Sequence, residues 1–336
     1  MNQTLRDRYS PTVLAVFAQR YGVRPEEVTN LGGFESFVFA FSRDGGDYIL
    51  KITHTVARSF EHLEGELEWL NYLADHGVPV SRAVPSLEGR LIEKLADESG
   101  EYLAIAYEKA PGTPIVQADM TPALYRTWGN LIGRMHALTR AYEPSRPGLR
   151  RQTWEEVSLA GFKVPEDHAW FAERAAALYP RLHALPKGPD AYGLVHSDLH
   201  FGNVLLHEGR LTAFDFDDAH YTWFANDVAI TLFYVLTWSA LWKWEADGFA
   251  TEFLTTFLEG YREAAPFDDA WLAYFPDFLR LRRLVLYGAL FQAFGPDEMP
   301  ERERKLFETL RQGILTDSEV VDLDFTRFVA QTPERC

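Results

Sequence analysis

Val195-His196-Ser197-Asp198-Leu199-His200-Phe201-Gly202-Asn203, followed at a distance by Asp215-Phe216-Asp217-Asp218, is the stretch that decides how this 336-residue chain reads. Asp198 sits in a short loop with apolar flanks, Gly193-Leu194-Val195 before it and Leu199 and Phe201 after it. A carboxylate so placed can accept or orient a hydroxyl proton. The run Asn203–Leu206, the turn residues His207-Glu208-Gly209 and the run Arg210–Phe214 predict a hairpin that ends at Asp215. A hairpin brings its two ends together. The Asn203 amide oxygen and the Asp215 carboxylate are therefore expected to share one hard cation such as magnesium.

Upstream, Phe37–Phe41 and Tyr48–Ile52 read as two strands joined through Arg43-Asp44-Gly45-Gly46-Asp47. In the second strand Lys51 and Ile49 face away from Tyr48, Leu50 and Ile52. A lysine among apolar residues needs a partner. The segment from Phe60 to His76 has helical spacing, with Leu63, Leu67, Leu70 and Leu73 on one stripe, and Gly77 and Pro79 end it. Glu66 falls on that stripe, whereas Glu64 and Glu68 do not, so the periodicity predicts a Lys51–Glu66 ion pair facing a cleft. Gly32-Gly33 could bring backbone close to phosphates, although two glycines alone more often make only a turn. There is no GxGxxG and no Walker loop.

The remaining elements follow from periodicity. A helix is expected over Thr12–Tyr21, strands over Ala83–Glu88 and Tyr102–Tyr107, and a break at Ala110-Pro111-Gly112-Thr113-Pro114. That break divides the chain into lobes at 1–109 and 110–336. Beyond it, Leu124, Trp128, Leu131, Met135 and Leu138 mark an amphipathic helix, Trp170–Leu182 another, and the run after Asp227 is apolar all round, as a buried helix is.

With 33 basic against 49 acidic residues and a net charge of -16, the chain is expected to bind neither nucleic acid nor an anionic membrane. The longest charge-free apolar stretch, Val228–Trp242, falls short of the roughly 20 residues that cross a bilayer. Cys336 is the single cysteine and no secretion signal opens the chain, so a reducing cytoplasm is the expected home. The oligomeric state is not legible.

Phosphoryl transfer needs a base near the acceptor hydroxyl, ligands for magnesium, a cation on the phosphates and a cover against water. Asp198, Asn203 with Asp215, Lys51 and Gly32-Gly33 supply candidates for each. A different class competes: His196, Asp198 and His200 form an H-x-D-x-H pattern that could bind a transition metal in a hydrolase.

The segment Val195–Val228 resembles the core of the aminoglycoside phosphotransferase and choline kinase-like enzymes, relatives of the protein kinases. It carries His-x-Asp, four residues, Asn, and an aspartate at the end of the next hairpin, as His196, Asp198, Asn203 and Asp215. Lys51, Glu66 and Gly77-Val78-Pro79 fall in that family's order, and Gly129 and His136 fit its first large-lobe helix. The resemblance implies an α+β, protein kinase-like two-lobed fold, with a small antiparallel-sheet lobe before a larger, mainly helical one. It implies ATP and Mg2+ as cofactors and a small-molecule hydroxyl, aminoglycoside-, amino alcohol- or homoserine-like, as acceptor. Asp198 would then be the catalytic base, Asn203 and Asp215 the magnesium ligands, and Lys51 the contact to the α- and β-phosphates, held by Glu66. Adenine would meet backbone groups of Glu108 and Ala110, while His196 and Asp227 brace the loop. The helices around Phe253–Tyr261 and Trp271–Phe294 are expected to form the acceptor pocket. Ser197 stands where protein kinases carry an arginine, and Asp217 where they carry the glycine of Asp-Phe-Gly. A stress-response Ser/Thr protein kinase is the alternative within this fold.

Overall fold

The computed structural model describes residues 9–33, 36–157, 159, 162, 164, 168–241, 248–295 and 299–328. Along the first part of the chain run α1 (Pro11–Arg20), β1 (Thr29–Gly32), β2 (Phe37–Arg43), β3 (Gly46–His54), α2 (Phe60–Asp75), β4 (Ala83–Val84), β5 (Glu93–Asp97) and β6 (Gly100–Glu108). After them come α3 (Pro122–Thr139), α4 (Ala169–His183), β7 (Tyr192–Val195), β8 (Val204–His207), β9 (Arg210–Ala213) and β10 (His220–Trp223). The helices α5 (Phe224–Leu241), α6 (Phe249–Ala264), α7 (Phe275–Phe294) and α8 (Glu301–Thr316) complete the order.

An antiparallel sheet forms the first lobe, in the order β1-β2-β3-β6-β4, with β5 also on β6. Its central strand β6 is apolar and buried over Tyr102–Ala106 because both of its faces are covered. Ala104 and Ala106 pack with Phe17 of α1, with Tyr21 just beyond it and with Leu50 and Ile52 of β3. Leu103 and Ile105 join Leu63, Leu67 and Leu70 of α2 in the core that continues into the helical lobe. Alternation along β3 then turns Lys51 away from the α1 side, toward α2 and the cleft.

The helical lobe is built on close crossings. A Cβ on Gly129 of α3 would lie 1.9 Å from the Phe257 carbonyl oxygen of α6, and one on Gly260 would lie 2.0 Å from the Arg126 carbonyl oxygen. Only glycine permits that approach, and it brings His136 of α3 within reach of Tyr261 of α6. The α5 helix carries buried residues from Phe224 to Val235, as its all-round apolarity requires.

Three elements depart from the sequence expectation. The strand expected over Ala83–Glu88 stops at Val84, because Pro85 offers no N–H to a ladder. The segment Trp271–Phe294 is split: Asp269–Tyr274 is a 3-10 turn, capped by the Asp268 side chain, and Pro276 starts α7 just beyond it. The short strands β1, β5, β7 and β10 carry too few alternating residues to be read singly. β7 and β10 form a ladder because pairing across the lobe brings Val195 opposite His220.

Candidate active site

The β7–β10 ladder delivers the chain into the loop that holds Asp198. Ser197 has φ +65, a left-handed conformation that a non-glycine residue keeps only when its surroundings impose it. Here the imposing group is Asp227, at the start of α5. Its Oδ1 accepts from the Ser197 N–H at 2.7 Å and its Oδ2 lies 3.0 Å from His136 Nε2, while His136 Nδ1 meets the Tyr261 hydroxyl at 2.9 Å. Burial keeps His136 below its ordinary pKa. His196 is buried too: its Nε2 contacts the Phe214 carbonyl at 3.1 Å and its Nδ1 accepts from the Asp198 N–H at 3.3 Å.

Both ring nitrogens of His196 are therefore used, and the segment is a bent loop, not a strand projecting His196, Asp198 and His200 to one face. The H-x-D-x-H reading as a transition-metal site is corrected on that ground. Among the described residues no group of three or more His, Cys, Asp or Glu side chains is placed to hold a metal ion.

Asp198 keeps its carboxylate by surrounding it with donors. The Asn203 amide nitrogen donates to Asp198 Oδ2 at 3.1 Å and to its carbonyl at 2.9 Å. His200 Nε2 lies 3.4 Å from Oδ2, and Arg282 of α7 ion-pairs with Oδ1. Burial alone would raise the Asp198 pKa; Arg282 and then His200 outweigh it and hold the group well below the usual carboxylate range. Because Asn203 spends its NH2 on Asp198, its oxygen is left to face elsewhere. Phe214 N–H donates to the Asn203 carbonyl at 3.0 Å, which brings Asp215, at φ +64 and half-exposed, beside it.

Lys51 is partly buried, and its partners are Asp215 at 2.8 Å and Asp217 at 2.5 Å. The predicted pair with Glu66 is corrected. Glu66 shares the cluster, but its contacts are Arg151 at 4.0 Å and the Tyr107 hydroxyl at 3.4 Å. Helical periodicity placed Glu66 on the right face; it could not show that Asp217 would reach Lys51 first. Burial works against the lysine charge, and the two aspartates outweigh it, so Lys51 stays protonated above its ordinary range. Burial, then the Asp217 charge, push Glu66 up to about 7. Arg58 lies 3.3 Å from the Asp217 carboxylate, and Arg58 and Arg151 both donate to the Asp217 carbonyl.

Gly32 and Gly33 end β1 with φ of +86 and +143, and a Cβ on Gly33 would sit 2.0 Å from the Ser36 carbonyl oxygen. At the far end of β6 the Glu108 N–H donates to the Arg82 carbonyl at 2.8 Å, so of its two backbone groups the carbonyl is the one left for a ligand. Ala110 is buried just beyond.

Beside the loop lies a cavity of about 580 Å³, lined by the apolar Trp154, Ile230, Leu281 and Val285 and by the polar Ser197, Asp217, Asn226 and Arg282. The α7 part of the pocket expectation fits this lining. The Phe253–Tyr261 part does not: Phe253, Phe257 and Tyr261 are core residues, held by the glycine crossing with α3. Arg282, Tyr234, Arg58 and Arg151 went unread in the sequence. Each comes from a segment with no motif of its own, and nothing in the sequence sets Arg282 apart from its neighbours Arg280 and Arg283.

Comparison with known proteins now decides the family. The model of the phosphotransferase enzyme family matches residues 27–271. The chain belongs to that family. It is 40% identical over 320 residues to amicoumacin kinase of Bacillus subtilis strain 168, covering 94% of this chain and 95% of that one. A solved structure of amicoumacin kinase hAmiN in complex with AMP-PNP, Ca2+ and Ami superposes with a TM-score of 0.91 at 39% identity, over 98% of this chain and all of that one. A microcompartment-associated aminopropanol kinase shares the fold at a TM-score of 0.71 and 20% identity, over 91% of this chain and 95% of that one. The fold is thus protein kinase-like and α+β, and the chain is a kinase of small molecules. Among the described residues no helix is long and apolar enough to cross a membrane.

Proposed function

We propose that this phosphotransferase moves the γ-phosphate of ATP, with magnesium, to a hydroxyl of amicoumacin or a close analogue, in the cytoplasm. The observation that carries the reading is the cavity of about 580 Å³ lined by Ser197, the neighbour of Asp198, and by Arg282, its ion-pair partner. That volume suits a drug-sized acceptor, since such pockets span about 300–1,000 Å³, and far exceeds what an amino alcohol fills. The 40% identity to an amicoumacin kinase points the same way. Neither nucleic acid nor a membrane surface enters this reading.

In it, the two lobes divide as 1–109, covering the nucleotide, and 110–336, carrying the loop and the acceptor site. Asp198 receives the acceptor hydroxyl and orients it toward the γ-phosphate. A carboxylate with so low a pKa is a weak base, so its main contribution is position, and it takes the proton as the phosphoryl bond forms. Lys51 meets the α- and β-phosphates as a desolvated point charge, with Glu66 contributing negative charge behind it. Gly32 and Gly33 lay backbone over the phosphates, and adenine meets the Glu108 carbonyl and the Ala110 N–H. His196 and Asp227 keep the loop in its strained form.

The donor set fits magnesium: a hard amide oxygen, turned out because the Asn203 NH2 is held by Asp198, and the half-exposed Asp215 carboxylate. When bound, the ion neutralises charge on the β- and γ-phosphate oxygens. The test is incubation of the purified protein with ATP, magnesium and amicoumacin, with mass spectrometry for one added phosphoryl group. Magnesium-dependent product is expected. Phosphorylation of aminopropanol or homoserine in place of amicoumacin would overturn the acceptor assignment.

A further inference from the structure

We propose that Arg282 is a positioning and specificity-determining residue: one end of its guanidinium holds Asp198, and its Nε donates to an oxygen of the acceptor next to the hydroxyl that is phosphorylated. The inference rests on the reading that Asp198 receives the acceptor hydroxyl, and it goes further by naming the group the acceptor must carry.

Arg282 reaches the loop from α7, 84 residues away in sequence from Asp198. Its Nη2 is shared between Asp198 Oδ1 and the Tyr234 hydroxyl, its Nη1 reaches the Ser197 carbonyl at 3.4 Å, and its guanidinium carbon lies 4.8 Å above the Tyr234 ring. Three contacts fix the plane of a group that is rigid by its own chemistry. The Nε is then fixed as well, and it is buried without a hydrogen-bond partner.

It is not alone. Ser197 Oγ, Asp217 Oδ1 and Asn226 Oδ1 are also buried without partners, and all four residues line the same cavity. Folded proteins rarely leave such atoms unsatisfied, and four around one cavity beside a reactive carboxylate mark where a ligand's polar groups go. Their chemistry is directional. The Arg282 Nε can only donate, so it selects an oxygen. Asp217 Oδ1 and Asn226 Oδ1 can only accept, so they select N–H or O–H groups. Trp154, Leu281 and Val285 add apolar surface to the same cavity. The acceptor this describes is a hydroxylated amide or hydroxy-amine with a carbonyl or second hydroxyl beside the reacting one, attached to an apolar portion. A plain amino alcohol leaves Nε unpaired, which a site built to hydrogen-bond rejects.

The test uses wild type, Arg282→Lys and Arg282→Gln with saturating ATP and magnesium, and two pairs of measurements. With amicoumacin, the acceptor KM should rise about 10-fold or more in both variants while the KM for ATP moves by less than about 3-fold. Arg282→Lys should recover part of the kcat that Arg282→Gln loses, because a lysine charge can still hold Asp198 but has no donor where Nε lies. With serinamide against 2-aminopropan-1-ol, which differ by a carboxamide in place of a methyl, wild type should favour serinamide by about 10-fold or more and Arg282→Lys should erase the preference. Equal use of the two alcohols by wild type, or variants whose acceptor KM stays unchanged, would overturn the proposal. The alcohol pair needs only wild type if a variant does not fold, and it still reads Arg282 if amicoumacin proves not to be the acceptor.

Discussion

Two charge clusters meet at the cleft, and they are neutralised by different means. Around Asp198 one carboxylate faces a guanidinium, an amide NH2 and an imidazole, so donors are in excess and the charge is locked. Around Lys51 three cations, Lys51, Arg58 and Arg151, face four acids, Asp215, Asp217, Asp218 and Glu66. The cations are divided unequally among them. Asp217 has two cations within 3.3 Å and is held below the usual carboxylate range, whereas Glu66 has Arg151 at 4.0 Å and is pushed up to about 7. Within such a cluster, burial and distance to the nearest cation decide which acid stays charged. The first cluster is set for one fixed task. The second has a weakly held member, Glu66, and its charges are shared among several partners.

Breaking the first cluster should have the largest effect. Asp198→Asn is expected to lower kcat by about 1,000-fold or more, since a positioned acid or base contributes about 10²–10⁴. ATP binding, followed by calorimetry with magnesium, should stay close to wild type; an equal loss of both would remove Asp198 from the chemistry. Asp227→Ala strikes the same cluster from behind. It leaves the Ser197 N–H and His136 without their partner, and breaking such a buried pair costs about 3–5 kcal/mol, measurable by urea denaturation. Retention of full stability would show that the left-handed Ser197 needs no brace.

The second cluster should respond less steeply. Lys51→Met is expected to reduce kcat/KM for ATP by about 100-fold, the usual worth of one charge on a transferring phosphoryl group, with the acceptor KM little changed. The smallest effect should be Glu66→Gln, read as pH dependence. Because the Glu66 pKa is raised on folding, the folded protein holds a proton there that the unfolded chain has already lost. Wild-type stability should therefore fall as pH rises from the ordinary carboxylate range to about 7, by at most about 1.4 kcal/mol per pH unit, and the Gln variant should lack that component. Parallel curves for the two proteins would mean that Glu66 is ionised throughout.

The hairpin β8–β9, the β2–β3 pair, the Glu66-bearing helix and the buried α5 were all readable, since each rests on a periodicity of two or 3.6 or on a turn signal between neighbours. Asp198, Asn203 and Asp215 were readable for the same reason: one loop and one hairpin bring them together. The strand over Ala83–Glu88 was misread where Pro85 overrode an apolar pattern. Of the two segments expected around the acceptor only α7 lines the cavity, because an apolar helix face looks alike whether it lines a cavity or packs on glycines, as α6 does.

By itself the sequence determined the reaction class and which residues gather around Asp198 from one loop and one hairpin, because local spacing alone carries those contacts. Only the tertiary structure decided that Lys51 pairs with Asp217 instead of Glu66, that Arg282 closes on Asp198, and that four unpartnered polar atoms line one cavity. Those contacts join segments as much as 166 residues apart, from Lys51 to Asp217. At that separation no periodicity operates, and which charges meet depends on how the helices and the sheet pack.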